Sequence, residues 1–80
     1  MSRAYSFEFE NDLLKTVQLA VGSNNGVLNI SLVAEEIRKR NENENIALED
    51  VEHMVLEIAT NLRATVEFNG IRIDTDALLA

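Results

Sequence analysis

One histidine, His53, is the natural starting point for chemistry in this 80-residue chain. Glu49 lies four positions before it and Glu57 four after, the spacing that stacks side chains on one helical face. Such a trio offers one imidazole and two surface carboxylates. Zinc sites use three or four strong ligands, so the pattern reads first as an exposed helical histidine and no metal is expected. Cysteine is absent, which removes thiol catalysis, disulfides and thiolate metal sites together. No serine or aspartate is placed to complete a nucleophile–base pair with His53, so catalysis is not expected. Gly22, Gly26 and Gly70 are dispersed over turns and cannot form a phosphate-cradling loop. No cofactor follows from any of these residues.

Charge narrows the partners. Fourteen Asp and Glu against seven Lys and Arg give a net charge of −7. Phosphate backbones and anionic lipid repel such a chain unless its cations cluster. The one cluster is Arg38-Lys39-Arg40, at the end of an expected helix, where cations complement the helix dipole. The first ten residues hold no apolar run of signal-peptide length, and no stretch reaches the roughly 20 apolar residues of a membrane span. A cytoplasmic protein is the expectation.

The elements that position these residues follow from periodicity. Val51, Met54, Val55, Ile58, Ala59 and Leu62 repeat at three and four, so a helix is expected over 47–63. Thr65 to Asp74 alternates around Asn69-Gly70, a pair suited to the positive φ angles of a type I′ turn. A two-residue loop pairs Phe68 with Ile71 and Val66 with Ile73 on an apolar face that must fold back onto the helices, and Glu67 with Arg72 on the other. Tyr5, Phe7 and Phe9 alternate with Ser6 and Glu8, which predicts a short strand over 5–9. A first helix is expected over 12–21, capped by Asn11, ended by Gly22, and facing inward with Leu13, Leu14, Val17, Ala20 and Val21. Val27 to Ile30 suggests a stub of strand. Ser31 is the expected cap of a second helix over 31–40, with Leu32, Val33, Ala34 and Ile37 inward. Asn41 to Asn45 reads as solvated loop, and 75–80 as a tail. The whole is one α+β domain, three helices with a C-terminal β-hairpin and a short N-terminal strand.

The order helix, strand stub, helix, helix, hairpin resembles a winged helix-turn-helix domain over about residues 12 to 74, with Asn69-Gly70 at the wing tip. Ala34, Ile37, Ile46, Val51 and Val55 carry the resemblance, as a small residue, a turn hydrophobe and third-helix valines in succession. The resemblance implies a DNA-binding regulator whose third helix enters the major groove. In this chain the outward positions of that helix are Glu49, Asp50, Glu52, His53, Glu57, Thr60 and Asn61, and four carboxylates would face phosphates. DNA binding would then rest on Arg38, Lys39, Arg40 and Arg72. Small size and acidity are also similar to acyl carrier proteins, which attach their prosthetic group to a serine at a helix start. Ser31-Leu32 is the matching site, with Ile30 where that family has Asp. The favoured reading is neither of these. Leu19 and Leu56 fall off the inner stripes, and Tyr5, Phe7, Phe9, Leu78 and Leu79 add further apolar surface. A non-catalytic protein-interaction or regulatory module is expected, pairing with a partner or with itself as a homodimer. Its expected contact surface is Leu19, Glu49, Glu52, His53 and Leu56 with the aromatic residues Tyr5, Phe7 and Phe9.

Overall fold

The computed structural model describes residues 5–75. Its three helices, α1 (Phe7–Ser23), α2 (Ile30–Arg40) and α3 (Leu48–Asn61), accompany three short strands, β1 (Val27–Asn29), β2 (Thr65–Phe68) and β3 (Ile71–Asp74). The class is therefore α+β, with the helices followed by a C-terminal hairpin. A single 3-10 turn over Glu42–Glu44 sits in the polar link between α2 and α3. The expected tail begins with Thr75, and its remainder, with Leu78 and Leu79, lies outside the described residues.

The N-terminal strand is not formed; the segment opens α1 instead. Ser6 stays extended and its Oγ accepts the Phe9 amide at 3.1 Å, while Glu8 and Glu10 lie in the positively polarised first turn. The alternation of aromatics loses because Phe9 continues a helical stripe with Leu13 and Val17, all three buried. Tyr5 meets Phe9 one turn on, with ring centroids 5.3 Å apart. Phe7 points away and is 77% exposed. Asn11 therefore lies inside the helix rather than at its cap, and the helix runs past Gly22 to Ser23. Leu14, expected inward, is also exposed.

The second helix starts one residue early. Asn29 caps it, its Oδ1 accepting the Leu32 amide at 3.0 Å. With that origin Ile30, Val33, Ala34 and Ile37 form the buried stripe and Leu32 turns outward. Ser31, the expected cap, instead donates its hydroxyl to Glu52 at 3.1 Å, tying α2 to α3. Helix α3 buries Val51, Val55 and Ala59, with Met54 and Ile58 packed partly against the same core. It ends at Asn61, and Leu62, at its C-cap, is exposed.

The hairpin takes the expected register: Phe68 opposite Ile71, Glu67 opposite Arg72, Val66 opposite Ile73. Asn69 and Gly70 have φ of 53° and 78°, as the tight turn requires. Thr75, fully buried, closes the hairpin base by donating both its amide and its hydroxyl to the Ala64 carbonyl. The stub of strand is real, and it pairs in parallel with β2, Leu28 opposite Val66. The sheet order is thus β1-β2-β3. Parallel pairing needs a long crossover, and α2 and α3 provide it.

The hairpin departs from expectation in one way that matters. Its apolar face does not fold fully onto the helices: Val66 is buried, but Phe68, Ile71 and Ile73 stay exposed.

Candidate functional site

That unspent face and α3 form the walls of a groove of about 280 Å³. Phe68, Ile73 and Val66 line it from the sheet, Ile30 from the start of α2, and Leu56 from α3. Glu49, Glu52 and His53 complete the α3 wall. These four α3 residues recur at i, i+3, i+4 and i+7, one stripe over two helical turns. They are the partner-surface residues expected from the wheel of that helix. The hairpin half of the groove was not legible, because period two shows which residues share a face but not whether that face is covered.

The other expected surface residues are placed elsewhere. Leu19 is 72% exposed on α1 and takes no part in the groove lining. The edge formed by Tyr5, Phe7 and Phe9 does not exist, since Phe9 is in the core, the Tyr5 ring packs tilted against it and only Phe7 is fully outward.

Electrostatically the groove rim is one-sided. Helix α3 carries Glu49, Asp50, Glu52 and Glu57 with no lysine or arginine. Glu49 and Asp50 occupy its first turn, where negative charge complements the helix dipole. His53 Nε2 lies 3.2 Å from Glu57 Oε1, both groups well exposed. Among the described residues no three histidine, aspartate or glutamate side chains are grouped as a metal ion would require. A groove of this volume lies near the lower limit for small-molecule pockets, which also need several convergent polar groups.

Three of the four candidate nucleic-acid cations are engaged within the fold. Arg38 makes a bidentate pair with Glu35, both bonds 2.9 Å, and holds that carboxyl below its usual range. Arg40 reaches from the end of α2 to Asp12 on α1, and Arg72 lies 3.6 Å from Glu67 across the hairpin. Arg38, Lys39 and Arg40 sit at the end of α2 and Arg72 on β3, so the four come from two separate elements. The basic cluster acts here as a helix end and as a strut between helices.

Asp12 is the anchor of that strut. Its oxygens accept from Arg40, Asn41 and Thr16. Partial burial pushes its pKa up, but the bonds from Arg40, Asn41 and Thr16 outweigh it, and the net value lies below 3.8. A carboxyl depressed in the folded state stabilises fully above its unfolded pKa and loses that stabilisation as pH falls through the folded value. Arg40→Ala should therefore cost about 0.5–1 kcal/mol at pH 7, a modest figure because the pair is half exposed. The difference from the parent should shrink below about pH 3.8. Urea midpoints measured from pH 7 to pH 3 check this; a difference that stays constant assigns the cost to lost packing of the arginine stem.

No helix among the described residues is long and apolar enough to cross a membrane. Set against protein-family models, curated proteins and solved structures, the chain matches none.

Proposed function

We propose that this protein is a non-catalytic protein-interaction module of the cytoplasm whose contact surface is the groove between α3 and the hairpin. The observation that carries the reading is the apolar lining of exposed Phe68 and Ile73 with half-buried Leu56, beside Ile30 of the core. Apolar surface left open on a small domain and rimmed by polar residues is the common form of an interface. A winged-helix layout is compatible with the element order, but the hairpin then serves as a groove wall rather than as a wing on DNA. Self-pairing through the same groove would set its carboxylates against their own copies, which favours a different chain as occupant.

The test is capture of the tagged protein from host lysate, with and without nuclease, beside the groove variant Leu56→Asn/Phe68→Ser. Both residues are partly exposed, so the variant should still unfold cooperatively. A stoichiometric protein that survives nuclease and is lost with the variant is the expected result. Recovery of nucleic acid alone would instead favour DNA regulation through Arg38, Lys39, Arg40 and Arg72. A phosphopantetheine-sized mass added at Ser31 would favour the carrier reading.

A further inference from the structure

We infer that the occupant of this groove is a cationic amphipathic helix of another protein, one or two bulky apolar side chains flanked by lysine or arginine. The inference rests on the groove reading above and adds the chemistry of the partner.

Three observations lead to it. The floor is apolar, formed by Ile30, Leu56, Val66, Phe68 and Ile73, so the group that enters must be apolar as well. The α3 wall runs from Glu49 to Leu56, about 10 Å at 1.5 Å per residue, the length of two turns of a helix laid along it. Helices dock into such grooves through anchors spaced three and four apart. The third observation is charge. Three carboxylates elsewhere on the described surface are paired with arginine: Asp12 with Arg40, Glu35 with Arg38, Glu67 with Arg72. On α3 four carboxylates stand with no cation of that helix, and Glu49 and Glu52 themselves line the groove. The apolar surface thus opens beside carboxylates that no lysine or arginine of α3 offsets.

Charge of this sign selects against the other occupants. A second copy brings the same carboxylates, and nucleic acid or an anionic bilayer brings phosphates. A helix with Lys or Arg beside its anchors places each cation against Glu49 or Glu52 while its apolar stripe meets Leu56 and Phe68. Rim pairs of this kind contribute more to choice of partner and rate of encounter than to raw affinity.

The experiment titrates the 15N-labelled protein with three synthetic 15-residue helical peptides that share one leucine stripe and differ only in flanking residues: lysine, glutamine or glutamate. Amide shifts report where each binds, and sedimentation of the protein alone reports self-association. The expected result is binding of the lysine peptide at Leu56, Phe68 and Ile73, about tenfold tighter than the glutamate peptide, since a few exposed ion pairs amount to about one decade. Glu49→Gln/Glu52→Gln should remove most of that preference, whereas Glu8→Gln/Glu10→Gln, with the same change in net charge on α1, should leave it. Raising salt should weaken the lysine peptide selectively. Equal binding of all three peptides in the groove would overturn the cationic partner and leave the groove reading standing. Absence of shifts at the groove for every peptide would overturn both. A dimer that occludes Leu56 and Phe68 would overturn the inference in favour of a second copy.

Discussion

Phe9→Ala is expected to lower the folding free energy by about 3–5 kcal/mol, the range for emptying an aromatic site in a packed core. An 80-residue domain holds only about 5–10 kcal/mol in total, so this variant should sit at the edge of unfolding. Phe9 is fully buried beside Leu13 and Val17, and its loss also strands Tyr5, whose ring rests on it. Phe7→Ala, two residues away, should change stability by less than about 0.5 kcal/mol, because surface substitutions seldom exceed that. The contrast is diagnostic. In a strand, residues 7 and 9 would share one face and the two variants would behave alike; in a helix they lie some 200° apart. Urea unfolding of both variants decides it, and similar midpoints would refute the helical start.

Leu28→Ala should cost about 2–5 kcal/mol although it lies in a strand of three residues. Leu28 is 1% exposed, stands opposite Val66 in the parallel pair, and belongs to the core that α1, α2 and α3 surround. The cost should also appear as lost hydrogen-exchange protection at the Thr65 amide, which donates to the Gly26 carbonyl at 2.8 Å. A change under 1 kcal/mol with protection intact would mean that β1 merely lies beside the sheet.

Much of the molecule was legible in the sequence, and the misses have physical reasons. Asn69-Gly70 determines the hairpin register through backbone geometry alone, so no tertiary information was needed. The stripe of Val51, Val55 and Ala59 is long enough for periodicity to be decisive. At residues 5–9 two periods competed over too short a window. The decisive clue was Ser6 followed by the stripe that runs from Phe9 through Leu13 to Val17. Ser31 suits an N-cap by residue type, but Asn29 is the cap, because a helix that starts at Ile30 puts that side chain on the buried stripe. Thr75 read as tail because its partner, Ala64, is brought near only by the closed hairpin. Half of the groove was visible in the same sense: the α3 wheel exposes Glu49, Glu52, His53 and Leu56, whereas the contribution of Phe68 and Ile73 depends on how far the sheet stands from the helix.

The parallel pairing of β1 with β2 has a consequence for the order of events in folding. Asn29 and Glu67, paired across these strands, are 38 positions apart. Isolated helices and the hairpin form within microseconds from neighbouring residues. Closing a loop of about 38 residues adds a length-dependent entropy cost of roughly 3 kcal/mol, which only the assembled core returns. Docking of β1 is therefore expected to come late, after α2 and α3 have packed. Contacts made after the rate-limiting barrier govern escape rather than arrival. The three residues of β1 thus act as a latch, and the Leu28→Ala cost should appear almost wholly in the unfolding arm of the chevron.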